Sequence, residues 1–237
     1  MFALTSIAPK HRNEGIQLKA VNSWIACGMN VFSFNSKTEC DLLRPLYPNV
    51  TFVETERTME LTYKRPYPAI NALMDWAKNQ KHLHFCIINS DIELKTDQET
   101  INRVSIEMEK SIVLANRVNH NGDYIGAQYL HGIDAFFIHK KWLHLFSQTV
   151  FCIGQCHYDY WIPYSASQNG VPITFVRQDI AYHLNHAVQY DHDQWLKTGR
   201  YLIWECNLYQ FNSTQEVGKM STYVFNYIYT NAKRRLI

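Results

Sequence analysis

Phe85-Cys86-Ile87-Ile88-Asn89-Ser90-Asp91-Ile92 decides how this chain folds: four apolar residues run directly into a short polar triplet that carries one acid. An apolar run of this length bounded by polar residues reads as a buried strand. Open α/β sheets bind their ligands in the crevice beyond the carboxyl ends of the strands. Asp91 therefore stands where such a sheet presents a carboxylate to a ligand.

Working outward, runs rich in β-branched and aromatic residues recur at about 2–8, 31–35, 50–54, 84–89, 112–118, 134–139 and 171–176. Helical patterns separate most of them. In the first, Ile16, Ala20, Val21, Trp24 and Ile25 share a face, and Gly28 follows where a left-handed cap is wanted. The second opens at Ser36-Lys37-Thr38-Glu39, a capping-box pattern. The third is expected to begin with Pro66 and Pro68 in its first turn and to run through Ala69, Leu73 and Trp76. Segments 97–110 and 140–148 also fit helices, and Asp193 to Phe211 with Ser221 to Arg235 read as helices packed outside the sheet or closing over the site. Strand and helix alternate through the first half, which calls for a mainly parallel sheet with right-handed crossovers and helices on both faces.

At 237 residues the chain suits one α/β domain, and no Pro/Gly/Ser-rich linker divides it. The expected organisation is a nucleotide-binding half over 1–118, an acceptor and catalytic half over 119–192, and C-terminal helices over 193–237. With 46% hydrophobic residues and 14% aromatic, disordered and fibrous classes are excluded. The N-terminal Met1 to Pro9 lacks the basic start and apolar stretch of a signal peptide, and no window has the length of a membrane span. A soluble cytoplasmic protein is expected. Six scattered cysteines sit mostly in apolar segments, as reduced thiols do. Cys152, Cys156 and His157 do not have zinc-cluster spacing. Asn49-Val50-Thr51 and Asn212-Ser213-Thr214 read as chance sequons, since a secretory route is not expected.

The net charge of +2 is uneven: Lys219, Lys233, Arg234 and Arg235 follow Gly218 with no acid among them. Such a tail suits a solvated helix end, or contact with an anionic acceptor, a membrane surface or nucleic acid. The first strand ends Thr5-Ser6-Ile7-Ala8-Pro9 with no GxGxxG after it, and no GK[ST] occurs anywhere. Dinucleotide oxidoreductases and P-loop NTPases are thereby disfavoured, and the Gly-rich basic loop of sugar nucleotidyltransferases is missing as well.

Four features in order resemble glycosyltransferases of the GT-A fold that use nucleotide sugars, over about residues 2–195. Thr5-Ser6-Ile7 ends the opening strand, Asn89-Ser90-Asp91 takes the place of the metal-binding triplet, and Gly132-Ile133-Asp134-Ala135-Phe136-Phe137 resembles the glycine-led, acceptor-side strand. Gly154 to Trp161 resembles the segment that bears the catalytic acid of inverting members. The resemblance implies transfer of a sugar from a nucleoside diphosphate donor, favouring a UDP-sugar, to a hydroxyl on a glycan, lipid or other acceptor. It implies Thr5, Ser6, Ile7, Asn89, Ser90 and Asp91 at the donor, with Asp91 on a Mn²⁺ or Mg²⁺ ion and His183 or His186 as a further ligand. It also implies Asp159 as the base. Two positions depart from the pattern: Asn89 and Tyr158 stand where such enzymes commonly have acids.

The residues carry chemical readings of their own. A strand-end Asp91 is an oxygen ligand suited to a hard cation, and otherwise caps a turn. Asp159, between Tyr158 and the pair Tyr160 and Trp161, has surroundings that raise a carboxyl pKa toward a useful base, and otherwise complements a helix N-terminus. Tyr158 and Trp161 are candidates to stack on sugar rings, with a core role for Trp161 as the alternative. Asp134, after Gly132, is a candidate to bond a sugar hydroxyl from an open strand start, or a turn residue. Lys64, with Arg65 and Arg57, is a candidate for phosphate or base contact, or a solvated loop. A non-catalytic sugar or nucleotide-binding module and a transferase acting on modified nucleic acid are the competing functions.

Overall fold

The computed structural model describes residues 1–9, 15–146, 148–185, 192–211 and 213–234. Its first half alternates strand and helix: β1 (Phe2–Thr5), α1 (Ile16–Ala26), β2 (Asn30–Asn35), α2 (Lys37–Leu43), β3 (Val50–Glu54), then a one-turn α3 (Glu60–Tyr63), α4 (Ile70–Lys78) and β4 (His84–Ile88). The second half holds β5 (Ile92–Leu94), α5 (Gln98–Met108), β6 (Ile112–His120), β7 (Gln128–His139), α6 (Tyr158–Gln168), β8 (Ile173–Phe175) and β9 (Ala181–Leu184). It ends with α7 (His192–Glu205), α8 (Val217–Asn231) and β10 (Lys233–Arg234).

One sheet runs through both halves in the order β10-β8-β6-β7-β4-β1-β2-β3, with β9 beside β6 and β5 paired to β9. It is a mainly parallel sheet in which β7 lies antiparallel to both β4 and β6. Alternation along β4 sorts the core into two layers. Phe85 and Ile87 face a cluster with Leu4, Phe136, Leu73 and Trp161, while Cys86 and Ile88 face one with Ala3, Val21, Trp24 and Phe137. Each of the Leu, Ile, Val and Phe side chains among them, fully covered, contributes about 1.5–3 kcal/mol of burial free energy. α1 is pinned to the sheet by a polar contact as well, because the buried Trp24 indole N–H donates to the Ile92 carbonyl at 2.8 Å.

Local signals mostly act as their chemistry dictates. Ser36 and Glu39 exchange hydrogen bonds with each other's backbone N–H at the start of α2, and Gly28 takes φ 76° after α1. Four expectations change. α4 begins at Ile70, because Pro68 bridges Thr58 and Ala69 bridges Cys152 in extended backbone before it. The segment after β7 is a 3₁₀ turn at Lys140–Leu145, held by the Trp142 indole N–H on the Met108 carbonyl at 3.0 Å. β7 starts at Gln128, so Gly132 lies inside a strand and not at its start. The last helix stops at Asn231, and Lys233–Arg234 extends the sheet edge along β8.

Candidate functional site

The carboxyl ends of β1 and β4 open into a cavity of about 750 Å³ whose other walls come from β6, β7, β9, α6 and α7. Its β1 side is assembled by side chains that satisfy backbone groups the strand leaves behind. Ser33 Oγ accepts from Ile7 N at 2.9 Å and donates to Asn35 Oδ1 at 2.7 Å, while Asn35 Nδ2 donates to the Ile7 carbonyl. Gln17 clamps Ala8 from α1, accepting from its N–H at 2.8 Å and donating to its carbonyl at 2.9 Å. The same Gln17 Oε1 receives the Ser90 hydroxyl at 2.7 Å, which ties the β1 exit to the triplet after β4.

Beyond β4, Asp91 Oδ2 lies 3.5 Å from His183 Nε2, a contact created where β5 pairs with β9 and sets Ile92 opposite His183. Both side chains line the cavity. Adjacent ligands on an octahedral ion with bonds of about 2.1 Å sit about 3 Å apart, so a carboxylate oxygen and an imidazole nitrogen at 3.5 Å are compatible with two positions on such an ion. Among the described residues, no group of three or more His, Cys, Asp or Glu is arranged to hold a metal. Any ion here would thus be completed by ligand oxygens and water. His186 lies outside the described residues.

A polar network crosses the floor. Asp134, only 5% exposed, accepts from Asn89 Nδ2 at 2.6 Å and from Arg117 Nη1 at 3.1 Å. Burial raises the Asp134 pKa, and Arg117 works against that rise. Tyr158, fully buried under the cavity, donates its hydroxyl to Asn89 Oδ1 at 2.7 Å. The two residues that depart from the glycosyltransferase pattern are thus hydrogen-bonded to each other. Gly132 is part of this build: β6 and β7 slip register between Ala115 and Arg117, and a Cβ at Gly132 would lie 2.9 Å from both Arg117 Nε and Tyr129 Cδ1.

Asp159 occupies the first turn of α6, behind His157 in a left-handed conformation at φ 68°. Desolvation and the nearby Asp134 carboxylate push its pKa up to about 7. A carboxyl titrating there has both the proton affinity of a base and a large ionised fraction near neutrality. His157 is buried and bonds outward with both ring nitrogens, to Thr198 Oγ1 of α7 at 2.9 Å and to Ser221 Oγ of α8 at 3.2 Å. Burial drops its pKa to about 4, so it stays neutral.

The structure brings Ser6, Ile7, Asn89, Ser90, Asp91, Gly132, Asp134, Tyr158, Asp159 and His183 to this one cavity. Three expected residues lie elsewhere. Thr5 is fully buried beneath the β1 exit. Lys64 caps α3 in a left-handed turn, and its neighbour Arg65 lines the cavity instead. Trp161 is core, packed on Phe146 and Phe151 with ring centroids 5.6 and 5.9 Å away, because the helical turn that points Asp159 at the cavity turns Trp161 inward. Asp134 is likewise no solvent-open strand start but a buried anchor. Sequence reading missed Arg117, Gln17, Tyr129 and His131. A lone arginine in the apolar strand 112–118 was the available signal for Arg117.

No family model matches the sequence, and no curated protein matches it significantly. Solved structures do match. S. aureus TarS 1–349 in complex with UDP superposes with TM-score 0.56 at 10% identity, covering 97% of this chain and 72% of that one. S. aureus TarS 1–349 gives 0.52 at 12% identity over 86% of this chain and 64% of that one. A longer S. aureus TarS chain gives 0.57 at 10% identity over 98% of this chain, which spans 44% of its length. The architecture is therefore a GT-A-like α/β fold, shared with TarS. Among the described residues, no helix is long and apolar enough to cross a membrane.

Proposed function

We propose that this chain is a glycosyltransferase that moves a sugar from a nucleoside diphosphate donor, UDP-linked, to an acceptor hydroxyl with inversion at the anomeric carbon. One observation carries the reading: a single cavity sets the Asp91–His183 pair on one wall and Asp159, with its pKa near 7, on another. The fold that frames it is shared with TarS, a protein solved with UDP.

The β1 exit and the Asn89-Ser90-Asp91 triplet, fixed by Gln17 and Asn35, hold the nucleoside and diphosphate. Asp91 and His183 would hold a divalent cation, Mn²⁺ suiting a mixed oxygen and nitrogen pair, and such an ion supplies Lewis-acid stabilisation of the departing diphosphate. Asp159, ionised, takes the proton of the acceptor hydroxyl as that oxygen bonds to the anomeric carbon. The bond from that carbon to the diphosphate oxygen breaks, and its electron pair leaves with the nucleoside diphosphate. Arg117, held by Asp134, keeps positive charge beside the reacting centre without occupying it.

The test is release of nucleoside diphosphate from a panel of nucleotide sugars, with and without added Mn²⁺, and with Asp91→Ala as control. Release from a UDP-sugar that falls at least a hundredfold in Asp91→Ala is expected. No release from any donor would return the chain to a binding module.

A further inference from the structure

Past Asp159 the cavity is walled differently from its β1 side, and this bears on the acceptor of the proposed reaction. Tyr129 and His131 from β7, Tyr160 from α6 and Trp195 from α7 surround this part. Tyr129 is 43% exposed yet fixed in place: the Arg117 guanidinium lies 5.1 Å from its ring centroid, and the backbone of Gly132 passes beneath its edge. His131 is also held, with Nδ1 3.0 Å from the Tyr160 hydroxyl and its ring stacked on Phe225 at 4.1 Å. Leu130, between them, does not line the cavity. The amides of Gln155 and Gln194 meet at the same wall, hydrogen-bonded to each other. An aromatic face held rigid and left uncovered beside amide and hydroxyl groups matches the two-sided chemistry of a sugar ring, whose C–H face packs on an aromatic and whose hydroxyls pair at the rim.

Charge narrows the choice. Among the described residues no lysine lines the cavity, and its arginines are Arg117, paired with Asp134, and Arg65 between α3 and α4. Asp91, Asp134 and Asp159 line the same cavity. A phosphate-bearing polymer needs several unpaired cations along its path, and among the described residues Arg65, whose guanidinium donates to the Tyr67 hydroxyl, is the single cavity arginine outside an ion pair. An alkyl chain would need an apolar trough, whereas this wall alternates rings with amides.

Resting on the glycosyltransferase reading, the geometry points to a neutral saccharide as acceptor, with one ring stacked on Tyr129 and its reactive hydroxyl directed to Asp159. The donor identified by nucleoside diphosphate release is combined with neutral oligosaccharides, with a phosphate polymer, and with vesicles carrying a lipid phosphate. A neutral oligosaccharide should accelerate release at least tenfold and become glycosylated. Tyr129→Ala should raise the KM for that acceptor tenfold or more relative to the KM for donor, and Tyr129→Phe, which keeps the ring, should restore it. Acceleration by the phosphate polymer or the lipid but by no neutral saccharide would overturn the inference while leaving the transferase reading intact. An unchanged acceptor KM in Tyr129→Ala would overturn the stacking site. Failure of every donor to release diphosphate would instead remove the transferase reading itself.

Discussion

Replacing Asp159 with Asn should abolish transfer and at the same time stabilise the protein, in a pH-dependent way. The folded carboxyl has its pKa pushed from 3.8 to about 7 by burial and by Asp134. The folded chain thus retains a proton that the unfolded chain releases between about pH 4 and 7. Stability that this proton confers is fully present below pH 4 and is lost as pH rises through 7. At about 1.4 kcal/mol per pH unit, the interval from 3.8 to about 7 caps the cost of the ionised form at about 4 kcal/mol above pH 8. Relaxation of the surroundings reduces this, and a gain of about 1–3 kcal/mol is expected for Asp159→Asn. Asn keeps an oxygen for the Tyr160 N–H, which Asp159 Oδ1 now accepts at 3.1 Å. Urea unfolding of both proteins from pH 4 to 8.5 reads the effect directly. The curves should coincide near pH 4 and separate above pH 6, with the variant more stable. A difference that is flat with pH, or a variant less stable at pH 8, would refute the argument that Asp159 is held at the expense of stability.

Three further outcomes follow from the same geometry. Chelation with EDTA should lower diphosphate release at least tenfold, with recovery on Mn²⁺ addition; His183→Ala should raise the Mn²⁺ concentration needed for half-maximal rate. Arg117→Met strands the Asp134 carboxyl and should cost about 2 kcal/mol in denaturant unfolding, whereas adding Asp134→Asn should recover part of it, a coupling that a double-mutant cycle measures. His157→Leu removes hydrogen bonds to both α7 and α8 and should cost about 2–3 kcal/mol, with faster amide hydrogen exchange in those helices; Asn at the same position, which tolerates left-handed backbone, should lose less.

What the sequence disclosed was the part governed by local periodicity and strand ends. The run Phe85–Ile88 had to be buried, so the triplet after it had to emerge at a crevice, and Asp91 does line one. Ser36 and Glu39 named a helix start because the box is made within four residues. The parts that stayed hidden depend on contacts far apart in sequence. Gln17 bonds Ser90 across 73 residues, and no local pattern announces that an amide on an amphipathic helix will clamp a strand exit. The pairing of β6 with β7 shifts register at Asn116, which sets Arg117 opposite Tyr129, and both line the cavity with His131. Trp161 was ambiguous for a plain reason: helix positions two residues apart face in different directions, and nothing in the composition says which one faces the core.

The hydrogen bond from Tyr158 to Asn89 also bears on how the chain can change over time. Each residue satisfies a buried polar group of the other, and Asn89 simultaneously serves Asp134 at 2.6 Å. An acid at 89 alone would set two carboxylates in contact over a buried floor, and an acid at 158 alone would leave the Asn89 oxygen without its donor. Substitution at one position is therefore penalised until the other has changed. The two sites should behave as one inherited unit, varying together among descendants and resisting substitution one step at a time.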